Sequence, residues 1–181
     1  MIFCNLGWRK VVKPILSTGN LGPDFCLNDL EGRPQRLSDL RGKIVVLYFW
    51  SAECAWCRRV DGALAELTHT WDGQVVLLAI SANQEESHET LWKEAKARGI
   101  GPVVRDADQK IARLYGVVTT PQFFILDAGG VLRYQGAFDN VSFRQRTATR
   151  HYAADALQAL LKGLSPDPSE TPPYGCALTI Y

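Results

Sequence analysis

Ile44 to Trp50 is an unbroken apolar run rich in β-branched and aromatic side chains. It predicts a strand buried on both faces, as in a parallel or mixed sheet. Immediately after it, Trp56, Val60, Ala63, Leu64, Leu67 and Trp71 recur at three- and four-residue steps. That spacing predicts an amphipathic helix of about four turns. A second buried strand is predicted at Val75 to Ile80. A helix follows over Glu85 to Arg98, with Leu91, Trp92 and Ala95 on one side and Gly99 as its stop. Pro102 to Arg105 reads as a short strand. Asp108 is the predicted cap of a short helix carrying Ile111, Ala112, Leu114 and Tyr115, closed by Gly116. Gln122 to Leu126, the turn Asp127-Ala128-Gly129-Gly130 and Val131 to Tyr134 predict a hairpin. A last helix is predicted over Ala148 to Lys162, with Tyr152, Ala153, Ala156, Leu157 and Leu160 inward.

The flanks read differently. Residues 1–22 show no clear periodicity and form an N-terminal extension. Pro23 to Gly42 suggests a short hairpin turning at Glu31-Gly32, then an approach loop. The tail, 164–181, opens with four prolines and turns apolar again at Cys176 to Tyr181. Helices alternate with strands early and an antiparallel hairpin comes late. The predicted class is α/β, a central mixed sheet flanked by helices.

Composition narrows the function classes. The chain has 181 residues, 46% hydrophobic and 22% charged, enough apolar material for one ordinary domain. Its formal net charge of +1 gives no pull toward nucleic acid or an anionic membrane. No apolar run approaches the roughly 20 residues of a membrane-spanning helix. Met1 to Lys10 lacks a signal-peptide pattern, because Arg9 and Lys10 follow the short apolar stretch. The compartment stays open: cytoplasmic if Met1 is the native start, extracytoplasmic if a leader has been removed.

Five cysteines are present: Cys4, Cys26, Cys54, Cys57 and Cys176. Only Cys54-Ala55-Trp56-Cys57 has motif spacing, and it lies where the buried strand ends and a helix begins. Unpaired N–H groups and the macrodipole at a helix start favour negative charge. Cys54 should therefore ionise more readily than a free thiol. The expected roles are Cys54 as exposed nucleophile and Cys57 as resolving thiol. Three other readings compete. A zinc site needs two more ligands, but Cys4, Cys26 and Cys176 are scattered and His69, His88 and His151 are not clustered. Haem attachment needs His after Cys57, where Arg58 stands. Two idle core cysteines would not need the strand-to-helix setting. No metal is called for, and no cofactor beyond a Cys54–Cys57 redox disulfide.

Several segments in order resemble the thioredoxin superfamily, and more narrowly its TlpA/ResA-like and AhpC/TSA peroxiredoxin-like branch. They are Pro23-Asp24-Phe25 through Leu37 to Lys43; Val45 to Cys57, reading VVLYFWSAECAWC; Tyr115-Gly116-Val117 with Thr119-Thr120-Pro121; and Phe124 to Gly136. The resemblance covers about residues 23–163. It implies a thioredoxin-like fold with an N-terminal β-hairpin, a cis Pro121 facing the cysteine pair, and Thr120 backbone groups that hold an extended substrate strand. Trp56 could pack or could flank the substrate. The implied partners are protein or small-molecule disulfides and an upstream thiol reductant.

Some positions depart from the family. Tyr48 stands where thioredoxins carry a buried acid, and it cannot accept a proton near neutral pH. Another group or water must assist. Glu53 beside Cys54 would disfavour a thiolate if close, but reads as a solvated surface residue; Arg58 and Arg59 would act the other way. Pro172-Pro173-Tyr174-Gly175-Cys176 resembles a C-terminal segment of some peroxiredoxin-like proteins. Cys176 could exchange with Cys54, yet the plainer expectation is a free cysteine in a tail packed on the domain. The leading function is a thiol–disulfide reductase or isomerase. The alternatives are a thiol peroxidase, and a non-catalytic binding module that uses the Thr120-Pro121 groove.

Overall fold

The computed structural model describes residues 16–181; the reading of Met1 to Lys10 and Cys4 lie outside the described residues. Cys26–Asn28 (β1) and Pro34–Arg36 (β2) pair antiparallel as a small hairpin, followed by a 3-10 turn at Leu37–Leu40. The central sheet contains Ile44–Phe49 (β3), Val75–Ser81 (β4), Val103–Arg105 (β5), Gln122–Leu126 (β7) and Leu132–Gly136 (β8), in the order β5-β4-β3-β7-β8. β3 is parallel to β4 and antiparallel to β7, so the sheet is mixed, as expected. Thr119–Thr120 (β6) and Cys176–Ala177 (β9) form a separate antiparallel pair.

The two-residue period of β3 divides the core. Val46, Tyr48 and Trp50 join one apolar cluster with Cys57, Val60 and Leu64 of Ala55–Thr68 (α1). Leu91 and Ala95 of His88–Arg98 (α2) and Ala156 and Leu157 of Tyr152–Leu161 (α4) complete that layer. Val45, Leu47 and Phe49 face the other way, against Phe25, Leu37 and Lys110–Tyr115 (α3). Helices therefore cover both faces, and the buried start of α1 abuts the end of β3.

Local chemistry moves several predicted boundaries. α1 ends at Thr68, because Asp72 and Gly73 turn the chain with φ of 42° and 72°. Trp71 still reaches the core from that turn. α2 begins at His88 rather than Glu85: Ser87 Oγ caps it, accepting from the Thr90 amide at 3.0 Å. The cap of α3 is not Asp108. Asp106 accepts from the amides of Ile111 at 3.2 Å and Ala112 at 2.8 Å, whereas Asp108 binds Lys110. α4 begins at Tyr152 rather than Ala148, because Asn140 Oδ1 holds the amides of Thr149 and Arg150 at 2.9 and 3.2 Å.

Candidate functional site

β3 ends at Phe49, and the Trp50 amide donates to the Ile80 carbonyl at 2.9 Å, keeping the chain on the sheet until the site loop. Cys54 then occupies the N-cap of α1, in extended conformation with φ −75° and ψ 119°. Its sulfur accepts no hydrogen bond from the first-turn amides, but the N-cap position sets Cys54 at the positive end of the helix dipole. Cys57 lies one turn further in and is fully buried. Burial pushes its thiol up to about 12. Hydrogen bonding from the Ser51 backbone and the Tyr48 hydroxyl opposes that rise, and the nearby Asp61 charge adds to it.

Asp61 follows Cys57 by four positions, on the same face of α1. Tyr48 donates to its Oδ1 at 2.8 Å, Trp50 Nε1 to its Oδ2 at 3.3 Å, and Arg98 pairs with Oδ2 at 3.2 Å. Arg98 also binds Glu94 and the Ala52 carbonyl, and its guanidinium lies 5.5 Å from the Trp50 ring centroid. Burial raises the pKa of Asp61 above the usual carboxylate value, outweighing these donors. Tyr48 is held neutral well past its usual range by burial and the neighbouring Cys57 and Asp61 charges. A buried acid thus stands beside Tyr48, but it comes from α1 rather than from β3. The hydrophobic pattern does not single out Asp61, because the residue interrupts an otherwise apolar helical stripe. A charged residue four positions past Cys57 on the inward face was the available signal.

A second buried carboxylate sets the loop before Cys54. Glu86 Oε1 accepts from Ser51 Oγ at 2.7 Å and from the Glu53 amide at 2.9 Å, while Oε2 accepts from Ser81 Oγ at 3.3 Å. The Glu53 side chain itself is exposed. Arg58 points outward to Glu94 at 3.7 Å, and Arg59 grips Asp139 with two bonds of 2.9 Å. The charge of Arg58 is therefore engaged away from Cys54.

Across the site, the Thr120–Pro121 peptide is cis, and the Thr120 carbonyl oxygen lies 3.0 Å from Cys54 Sγ. β9 pairs with β6 here, setting Cys176 opposite Thr120. Cys54 and Cys176 form a disulfide, with Cα atoms 6.1 Å apart. Three expectations change. The bridge is not Cys54–Cys57: Cys57 is a free thiol, because strand pairing delivers Cys176 to Cys54 from the open side. Cys176 is not a free tail cysteine. Cys54 is not exposed, since the tail covers it to 3% accessibility. Trp56 packs edge-on against Tyr174 at 4.9 Å and Phe143 at 5.4 Å, forming an aromatic rim beside the bridge.

The comparisons fit this geometry. Residues 18–135 match the AhpC/TSA family. The chain is 35% identical over 122 residues to thiol-disulfide oxidoreductase ResA of Geobacillus thermodenitrificans, covering 67% of this chain and 70% of the relative. A crystal structure of a hypothetical protein, SMc02350 from Sinorhizobium meliloti 1021, matches with a TM-score of 0.81 and 30% identity, over 90% of this chain and 93% of that one. The thioredoxin domain of thiol-disulfide oxidoreductase BVU-2223 from Bacteroides vulgatus matches with a TM-score of 0.60 and 26% identity, over 66% of this chain and 88% of that one. With a thioredoxin-like fold, a strand-end cysteine pair at a helix start and this match across more than half its length, the chain belongs to the AhpC/TSA family.

Proposed function

We propose that this thiol–disulfide oxidoreductase attacks a client disulfide with Cys54 and resolves the mixed disulfide with Cys57. Its clients are protein or small-molecule disulfides, and a separate thiol reductant restores the dithiol. One observation carries the reading: Cys54 sits at the N-cap of α1, with Cys57 a turn deeper beside Tyr48 and Asp61.

In the first step the Cys54 thiolate attacks one client sulfur. A Cys54–client bond forms, and the other client sulfur leaves as a thiolate that takes a proton from water. In the second step Cys57 must lose its proton while buried. The Tyr48 hydroxyl gives its proton to Asp61 as it takes the thiol's proton, in one concerted transfer, and then donates to the Cys57 thiolate. The raised proton affinity of Asp61 suits it to the end of this relay. Cys57 then attacks Cys54 Sγ, the Cys54–Cys57 bond forms, and the second client sulfur departs. Two electrons have passed to the client. The Thr120 backbone and the Trp56 ring flank the path of a client strand, which supports a substrate-binding role for Thr120, Pro121 and Trp56.

The test compares insulin-disulfide reduction and hydrogen peroxide consumption by the wild type, Cys54→Ser and Cys57→Ser. The expected result is insulin reduction that Cys54→Ser abolishes. Rapid peroxide consumption with untouched insulin would replace this reading with a thiol peroxidase. Reduction unaffected by Cys54→Ser would overturn it.

A further inference from the structure

The tail does more than carry one half of a bridge. Cys176–Ala177 adds to the Thr119–Thr120 edge as an antiparallel strand, and the Leu178 amide extends the ladder to the Val118 carbonyl at 3.0 Å. Gly175 lies flat on the Thr120–Pro121 backbone, where a Cβ would collide with the Thr120 carbonyl and the Pro121 ring. Tyr174 accepts from the Phe143 amide at 3.0 Å and stacks edge-on against Trp56. Beyond the bridge, the Gln109 carboxamide donates to the Thr179 carbonyl at 2.8 Å and accepts from the Tyr181 amide at 2.9 Å. Before it, Thr171 Oγ1 accepts from the Ala137 amide at 3.0 Å and meets the Tyr134 hydroxyl at 2.7 Å. Contacts on both sides therefore hold Cys176 at Cys54 independently of the covalent bond. Such tethering keeps the effective concentration of a thiol high, on the order of millimolar or above.

We propose that Cys176 is a third redox thiol and that the tail is a redox-released cap, an internal strand that occupies the client groove in the oxidised protein until Cys57 displaces it from Cys54. The proposal rests on the exchange chemistry assigned above to Cys54. In the release step Cys57, after giving its proton to the Tyr48–Asp61 pair, attacks Cys54 Sγ. The Cys54–Cys57 bond forms and the Cys54–Cys176 bond breaks. The electron pair leaves with Cys176, which is half-exposed and takes a proton from solvent. One thiol is consumed and one is released, so no external oxidant or reductant takes part. The reverse attack, by Cys176 on Cys54, restores the cap. The high pKa of Cys57 leaves few thiolates near neutral pH, which makes release slow and the capped form persistent.

Native-state labelling tests this. Oxidised wild type is incubated at neutral pH with N-ethylmaleimide, and samples are digested and mapped over time. At the start the disulfide peptide joins Cys54 to Cys176. Label then accumulates on Cys176 while the bridge becomes Cys54–Cys57. In Cys57→Ser and in Cys57→Ala, which leaves no buried hydroxyl, labelling of Cys176 slows at least tenfold. A Cys54–Cys57 bridge with Cys176 free from the start would overturn the proposal. So would a Cys54–Cys176 bridge whose labelling does not depend on Cys57. Either failure leaves insulin reduction still abolished by Cys54→Ser, whereas failure of the exchange reading would show as insulin reduction surviving that substitution.

Discussion

The Tyr48 hydroxyl donates to Asp61 Oδ1 at 2.8 Å, joining a buried phenol to a buried carboxyl group whose proton affinity is raised by burial. Tyr48→Phe and Asp61→Asn should each slow decay of the mixed disulfide by about ten- to a hundredfold, within the range of general-base effects. The initial attack by Cys54 should change little. The deficit should shrink as pH rises, because hydroxide then deprotonates Cys57 directly. Quenched-flow measurement of the adduct from pH 6.5 to 9 checks both statements.

Cys57 also predicts a pH-dependent stability. Its folded pKa lies near 12 against an ordinary value of 9.0, so between these the folded state binds more protons than the unfolded chain. The contribution is fully present below pH 9 and is lost as pH rises toward 12. In a Cys54→Ser/Cys176→Ser background under reducing conditions, raising pH from 8 to 10 should cost on the order of 1 kcal/mol more than when Cys57 is also replaced by Ala. Urea titrations of the two proteins read the difference.

Arg98 pairs with Asp61 where both side chains are almost wholly buried, 9% and 3% exposed. Removing one partner strands the other charge. Arg98→Ala should destabilise the protein by about 3–5 kcal/mol, seen as a lower urea midpoint with an unchanged slope.

Gly175→Ala places a methyl where the Thr120 carbonyl and Pro121 ring now touch the tail. The strand must lift, and the fraction of oxidised protein bridged as Cys54–Cys176 should fall severalfold. Peptide mapping after diamide oxidation measures it, with the balance expected as Cys54–Cys57.

The Cys54–Cys176 bridge spans a sequence separation of 122 residues. Loop-closure entropy puts its stabilisation at up to about 5 kcal/mol. Cys176→Ser should lower the oxidised protein's melting temperature and leave the reduced protein's nearly unchanged, as differential scanning calorimetry with and without dithiothreitol would report.

Strong local patterns carried most of the fold into the sequence. The apolar run of β3 and the 3.6-residue stripe of α1 located Cys54 and Cys57 at a strand-to-helix junction. What escaped was set by tertiary partners. β6 and β9 are two residues each, too short for periodicity, and exist only because they pair with each other. Asp106 reaches past the nearer Asp108 to cap α3, a choice fixed by where β5 ends. Asp61 and Glu86 look like surface acids in one dimension, and become buried anchors only once Tyr48, Arg98 and Ser51 surround them. The Pro172 to Cys176 segment raised an exchange between Cys176 and Cys54, but the bridge itself depends on the β6–β9 pairing, which brings together residues far apart in the chain.

The most direct measurement of the central claim is adduct formation by a Cys57→Ser/Cys176→Ser variant, in which Cys54 is the remaining site thiol. The reduced variant is mixed with excess insulin and resolved on a non-reducing gel, and the linked peptide is identified. A stable one-to-one adduct through Cys54, released by dithiothreitol, is the predicted result. No adduct, or one joined through Cys26, would contradict the assignment of Cys54 as the attacking sulfur.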